Sequence, residues 1–471
     1  MSALAERSGL RVGDVVASLE IASAWLVDPV VGREGPGEIV VEDGLVRVVT
    51  WLEGAEAEGV SPDGVVVAPG FVDLHTHLRE PGNEDAETVA TGLAAAAHGG
   101  FTTICAMANT DPPADDPGVV SLVAAAATAS GSPVRVLAYG AVSAARAGAT
   151  LAALGELADA GVIGFSDDGA PVRSVALLRN ALAYAGTLGL PVVDHAEDQE
   201  LTAGAEAHDG LVASVLGLRG WPAAAEEAAV ARDLAVLRDV IRDVPTARLH
   251  LTHMSTATAL DLVRRAKAEG LPVTCDVTPH HMALSDEWLA GARRWAWDAE
   301  GDPWADGVRV AAPYATALRV NPPLRSPADA AACLEALVDG TVDAVATDHA
   351  PHRSVDKEVE FGLAANGISG LETALGVLLA AVDAGRLPLG RAIAALTIGP
   401  AGVLGERLGG RIAGLAEGAP ADLVVVDRGE AWRVEARSLA SRGHNTPFLG
   451  RDLPGRVIAT VAGGRLAYIA D

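Results

Sequence analysis

From about residue 70 to residue 400 the chain alternates short β-rich runs that end in polar residues with Ala- and Leu-rich stretches of helical character. Eight such runs can be counted: "GFVDLHTH", "GFTTICAMANT", "PVRVLAYGAVS", "GVIGFSDDG", "LPVVDHAED", "ARLHLTHMST", "LPVTCDVTPHH" and "DAVATDHAPH". Several follow a helix-stopping glycine, as in "AAHGGF", "LADAGV", "TLGLP" and "KAEGLP", which is the chemistry of loops leading from a helix into a parallel strand. Eight strand-helix units predict an α/β protein whose residues 69–407 form a TIM (β/α)8 barrel. Two spacings are long, after the fifth and seventh runs. The second insert, "WLAGARRWAWDAEGDPWADGVRVAAPYATALRV", holds four of the eight tryptophans and is expected to be a structured lid or contact surface.

The flanks have another texture. Residues 1–68 and 408–471 carry short β runs such as "GEIVVEDGLVRVV", "ADLVVVD" and "GRVIATVAGGRLAYI", punctuated by Gly and Asp. They read as the N- and C-terminal parts of one small β domain beside the barrel.

Composition narrows the partners. Half of the 471 residues are apolar, enough for a large core, and the formal charge of -27 would repel nucleic acid and anionic membranes. An anionic small substrate therefore needs a local positive site. Only Lys267 and Lys357 are lysines among 35 cationic side chains. The start lacks a basic segment followed by an apolar run, and no stretch of eighteen apolar residues occurs, so a cytoplasmic location is expected. Cys105, Cys275 and Cys333 are far apart and suit buried, reduced thiols without a catalytic role.

The chemistry collects at the strand ends, where barrel enzymes keep their reactive groups. His75 and His77 alternate on an extended strand, so they face one way, and Arg79 continues the row. Strand four ends in Asp167 and Asp168, strand five in His195, strand six in His253 and strand eight in Asp348. Four imidazoles and two carboxylates aimed at one mouth can hold two divalent ions of zinc type, bridged by a carboxylate of strand four. Two such ions make hydroxide at neutral pH and polarise the carbonyl it attacks, and Asp348 is placed to carry the proton to the leaving nitrogen. His250, an odd number of positions from His253, should face away into the core. Spacing alone decides neither which of Asp167 and Asp168 bridges nor what His280 and His281 bind.

"DLHTHLREPG", "ANTDPP", "FSDDG", "HAED", "LTHMST", "TPHH", "NPPLRS" and "ATDHAPH", in this order, resemble the bacterial type I dihydroorotases of the amidohydrolase superfamily. The resemblance extends to "NTPFLG" and implies reversible interconversion of L-dihydroorotate and N-carbamoyl-L-aspartate in pyrimidine synthesis. Carried over by motif, His75, His77, Asp168, His195, His253 and Asp348 are the ligands of two metal ions, most simply Zn2+, with Asp348 also the acid-base group. Arg79, Asn109, Asn321 and His352 match substrate contacts, Arg79 and Asn109 on the carboxylate, and Phe361 with Gly362 matches a backbone contact. In many relatives a carbamylated lysine bridges the metals; here no lysine ends strand four. The chain departs from the family pattern in the Trp-rich insert and in lacking a proline before Phe361-Gly362. The partner implied is the small-molecule substrate, with a homo-oligomer or a complex with aspartate carbamoyltransferase as the protein partners the family allows.

Two rival readings share parts of this pattern. A hydantoinase or allantoinase would keep the barrel and metals without needing Arg79. A non-catalytic scaffold for aspartate carbamoyltransferase would have lost ligands, yet every expected ligand is present.

Overall fold

The structure is a computed structural model that describes residues 11–305, 307–408 and 414–470. The opening segment 1–10 and the junction 409–413, which bear on the expectations about export and about the boundary near 408, lie outside the described residues.

Helices begin and end where the sequence provides for it. The Asp116 carboxylate accepts from the Gly118 amide ahead of Pro117–Ser130, and Ser326 accepts from Asp329 ahead of Pro327–Asp339. Gly131 and Gly340 end these two helices at φ 69° and 85°, in the left-handed region. Between the helices run parallel strands. Phe71–Thr76 pairs with Phe101–Ala106, and that strand with Arg135–Ala138. Pro191–Asp194 pairs with Arg248–Leu251, which pairs with Val273–Val277, which pairs with Ala344–Val345. The fourth run, "GVIGFSDDG", forms no extended strand; Phe165 alone makes parallel bridges, to Gly140 on one side and Val192 on the other. A further parallel bridge joins Thr76 to His349.

The strands are buried on both faces, as parallel sheets covered by helices require. Phe71, Ile104 and Val192 pack with helix residues such as Leu93, Leu182 and Val230. Their neighbours Val72, Cys105 and Val193 join Leu74, Tyr139 and Ala346 in a separate cluster. The flanks meet in one seven-stranded sheet, where Leu423–Arg433 runs antiparallel to Val65–Pro69 and brings the C-terminal strands beside the N-terminal ones. That sheet buries its own cluster around Leu26, Ile39 and Val425.

The Trp-rich insert is folded inward. Trp288 is fully buried against Phe448, Trp295 stacks on Trp297 at 5.2 Å, and the Arg451 guanidinium lies 3.8 Å over Trp295. Four tryptophans in one loop thus mark a satellite core more than a free contact surface. No helix among the described residues is long and apolar enough to cross a membrane. Cys105, Cys275 and Cys333 are free and buried, and burial pushes each thiol up, away from reactivity.

Candidate active site

The strand ends converge on one buried cluster. His75 Nε2 lies 3.2 Å from His77 Nε2, and His77 Nε2 lies 3.0 Å from Asp348 Oδ1. Asp168 reaches two ways: Oδ2 stands 3.1 Å from His75 Nε2, while Oδ1 stands 3.3 Å from His253 Nε2 and 3.5 Å from His195 Nδ1. His195 Nδ1 and His253 Nε2 are 2.9 Å apart. Asp167 is turned away, its Oδ1 accepting from the amides of Val142 and Ser143. Of the two carboxylates between which spacing did not decide, Asp168 is the one that lies in the cluster.

Outer hydrogen bonds fix which ring nitrogen carries each proton. The Thr252 hydroxyl donates to Asp276, so its oxygen accepts from His75 Nδ1 at 2.8 Å. His77 Nδ1 donates to the Asn109 Oδ1 at 2.9 Å, and His195 Nε2 donates to Glu197 at 2.8 Å. The inward nitrogens of these three rings are therefore lone pairs, facing one another and two carboxylates. Acceptors crowded at about 3 Å repel unless a cation stands among them, and neutral imidazoles plus carboxylates are the donor set of zinc-type ions. The residues fit a divalent metal. Without one, the cluster draws protons: burial pulls both rings down, yet Asp168 and Asp348 hold His75 up at about 9, and Asp168 and Glu197 hold His195 up at about 10.

Backbone strain is concentrated here. Arg79, His253 and Asp348 all adopt left-handed conformations, with φ of 60°, 41° and 47°. Buried carboxylates from neighbouring strands pin two of these corners. Asp276 accepts from the His253 amide at 2.6 Å, and Asp73 accepts from the amides of Thr347 at 3.0 Å and His75 at 3.1 Å. Arg146, itself at φ 52°, holds the Asp167 and Asp168 carbonyls at 2.8 and 2.5 Å. None of Asp73, Asp276, Arg146 and Glu197 was assigned a role from sequence, though Glu197 could have been found two residues beyond His195, on the same face of an extended segment.

A cavity of about 170 Å³ opens on the cluster, lined by His77, Arg79, Asn109, Asp168, His195, His253, Asn321, Asp348, His352 and the Asn366-Gly367 pair, among others. A larger one of about 350 Å³, near His98 and Tyr468, has no such convergence of ligand atoms, so chemistry rather than size selects the site. Arg79 donates from Nε to the Pro351 carbonyl at 3.1 Å. His352 Nε2 is 2.7 Å from the Asn366 carbonyl, to which it can only donate. Burial, with Arg79 and Lys357 nearby, lowers His352 to about 3 and keeps it neutral. Asn321 donates to Glu197 at 3.0 Å and leaves its buried Oδ1 free of protein partners.

Phe361 and Gly362 are not among the residues lining the cavity. The Phe361 ring packs in the cluster of Trp288 and Phe448, its carbonyl accepts from Arg319 at 2.9 Å, and Gly362 abuts Glu206. Asn366 and Gly367 take the place expected for them; a buried Phe is drawn to the apolar satellite, while Gly367, at φ 147°, lets backbone approach the cavity. His250 is buried as expected, but in a polar network, 2.8 Å from Asp276. His281 pins the loop after Asn321 through a 3.0 Å bond to the Pro322 carbonyl, and the buried His280 Nε2 has no partner. Of the lysines, Lys267 pairs with Asp343 at 2.5 Å and Lys357 holds backbone carbonyls; neither enters the cluster.

The whole chain is similar in fold to solved hydantoinases. The L-hydantoinase (dihydropyrimidinase) from Arthrobacter aurescens superposes with a TM-score of 0.77 at 23% identity, covering 96% of this chain and 97% of that one. The dihydropyrimidinase from Brevibacillus agri NCHU1002 gives 0.73 at 20%, covering 95% and 94%. The chain thus shares its fold with these solved structures, a fold that here sets parallel strands beside a flanking β sheet. Sequence similarity is more specific. A family model described as "Dihydro-orotase-like" matches residues 64–259. The dihydroorotase of Anaeromyxobacter dehalogenans (strain 2CP-1 / ATCC BAA-258) is 46% identical over 455 residues, 96% of this chain and 98% of that protein. That of Pelotomaculum thermopropionicum is 42% identical over 450 residues, 95% and 98%. The chain belongs to the dihydroorotase family of enzymes.

Proposed function

We propose that the cavity hydrolyses the ring amide of L-dihydroorotate to N-carbamoyl-L-aspartate, and runs the reverse ring closure, with His75, His77, Asp168, His195, His253 and Asp348 holding two divalent ions, zinc in the simplest case. The observation that carries the reading is the convergence of inward lone pairs with the Arg79 guanidinium on one cavity. When bound, the ions would supply Lewis acidity, making water nucleophilic at neutral pH and the amide carbonyl electrophilic.

The side chains do the rest. Arg79, joined by Asn109, grips the substrate carboxylate and sets the ring amide over the cluster. Burial raises Asp348, but His75 and His77 outweigh it and hold the carboxylate below its usual range, so it is ionised and ready to accept a proton. It takes the proton from the attacking water and delivers it to the ring nitrogen as the carbon–nitrogen bond breaks. Asn321 and His352 offer hydrogen bonds to the rest of the ring, as does the backbone at Gly367, and Glu197 fixes both His195 and Asn321.

The architecture follows the same reading. On this reading residues 69–407 form an eight-stranded TIM barrel beside a β domain drawn from 1–68 and 408–471; the bridges at Phe165 and from Thr76 to His349, between otherwise separate parallel sheets, support it. Three buried free thiols suit a reducing cytoplasm. The test is turnover of L-dihydroorotate by purified protein with metal quantified on the same sample. The expected result is ring opening with close to two ions per chain and no turnover of hydantoin or allantoin. Preference for either of those rings would favour the hydantoinase-type reading, and inert protein with the ligands loaded would leave only a scaffold.

A further inference from the structure

Lys357 ends the short helix Ser354–Lys357 and is buried, 7% exposed, with no carboxylate at its ammonium among the described residues. Its Nζ instead donates to three backbone carbonyls, of Ala365 at 2.6 Å, Thr316 at 3.1 Å and Arg319 at 3.3 Å. An ammonium has three N–H bonds and no acceptor, so its capacity is filled. The charged groups felt at this point, Arg319 and Arg79, are both cations, and burial together with them lowers the amine to about 7. The group is held there at an electrostatic cost, and an ion pair does not explain it.

The three carbonyls belong to two segments that meet nowhere near each other in sequence. Thr316 and Arg319 lie where the Trp-rich insert returns to the site, just before Asn321; Ala365 precedes Asn366 and Gly367. Asn321, Asn366 and Gly367 all line the cavity, and the Gly367 amide also donates to the Arg319 carbonyl at 2.9 Å. In a chain with two lysines among 35 cationic side chains, the exception is informative. A planar guanidinium spreads its donors in a fork, whereas a tetrahedral ammonium can serve three carbonyls from one point.

We propose that Lys357 is a positioning residue for substrate: its ammonium clips the returning end of the insert to the loop carrying Asn366 and Gly367 and so sets the part of the cavity wall that Asn321, Asn366 and Gly367 form. The proposal rests on the cavity being the dihydroorotate site, and its test separates the two. Wild-type, metal-loaded, full-length protein is first assayed on dihydroorotate; inactivity there overturns the functional reading and with it the kinetic part of this proposal.

Amide hydrogen exchange needs no substrate and reads the clip directly. Lys357→Met should speed exchange in residues 314–321 and 361–367 together, and unchanged exchange in either segment overturns the clip. In kinetics, the same variant should raise KM for dihydroorotate about tenfold, with kcat within about threefold and metal content equal to wild type. An unchanged KM, or a kcat that falls together with metal content, overturns the positioning role. Should Lys357→Met fail to fold, Lys357→Arg keeps charge and reach but not the convergent geometry. It should raise KM about threefold with metal retained, and a wild-type KM in that variant overturns the proposal.

Discussion

Glu197 Oε2 stands 2.8 Å from His195 Nε2, and because a carboxylate only accepts, this contact commits the imidazole to offering its other nitrogen to the cluster. The same oxygen accepts from Asn321 at 3.0 Å, so one buried carboxylate orients a ring of the His/Asp cluster and a cavity-lining amide together. Outer partners of metal-binding histidines are worth about tenfold to a hundredfold in metal affinity or activity. Glu197→Ala should therefore weaken metal binding by about that factor in a competition titration and raise KM as Asn321 loses its anchor. Wild-type metal affinity in this variant would show that the contact is incidental.

Arg79 is held by the Pro351 carbonyl on one side and faces the cavity on the other. A charge-assisted pair with a carboxylate is worth about 1.5–3 kcal/mol, so Arg79→Ala should raise KM for dihydroorotate about tenfold to a hundredfold with both metals retained. Arg79→Lys should recover little of this, because a point charge does not reproduce a bidentate fork. Equal KM values for wild type and Arg79→Ala would move the carboxylate elsewhere and revive the hydantoinase-type reading.

Asp348→Asn keeps shape and a neutral oxygen toward His77 but cannot carry a proton. Turnover should fall about a hundredfold to ten-thousandfold with the melting temperature preserved, the range a proton carrier contributes. Activity within a few fold of wild type would assign the transfer to another group.

The legible part of the site was its inner face. Strand ends advertise metal-type donors because alternation puts His75 and His77 on one side and further His and Asp side chains recur at the ends of successive runs. The outer face was not legible for a physical reason: Asp73 reaches Thr347, Asp276 reaches His253 and Arg146 reaches Asp167, each 20 or more positions away, through tertiary contacts that no local pattern encodes. The Phe361-Gly362 assignment failed because a dipeptide matches by letter, while a phenylalanine beside a tryptophan cluster is claimed by packing. The fourth strand was readable as an apolar run, yet only Phe165 pairs, since Gly164 and the polar Ser166-Asp167-Asp168 turn leave little strand to extend.

Asp286 offers a test of stability against pH. Burial, with Glu287 beside it, raises this carboxyl to about 7, above the ordinary unfolded value near 4. The folded state thus binds more protons than the unfolded between those values, so this group's contribution to stability declines as pH rises from about 4 through 7. Asp286→Asn removes that slope. The variant's melting temperature relative to wild type should climb between pH 5 and pH 8, and a flat difference would mean the carboxyl titrates normally.

The proposed bridge between the metals is the sharpest test. Asp168 sends one oxygen toward His75, 3.1 Å away, and the other toward His253, 3.3 Å away, the two-sided reach a bridging ligand needs. Both lysines are engaged elsewhere, Lys267 with Asp343 and Lys357 with three carbonyls, so no amine is available at the cluster for carbon dioxide to convert into a carbamate. Burial would raise Asp168, but His75 and the bonds from His195 and His253 outweigh it and hold the carboxylate well below its usual range, charged without any modification. Reconstitution of metal-free protein should therefore be indifferent to bicarbonate, and Asp168→Ala should lose at least one ion per chain and nearly all turnover, measured by metal analysis beside the assay. Recovery that requires bicarbonate, or an Asp168→Ala protein that keeps both ions, would mean that the metals are bridged by something other than this aspartate.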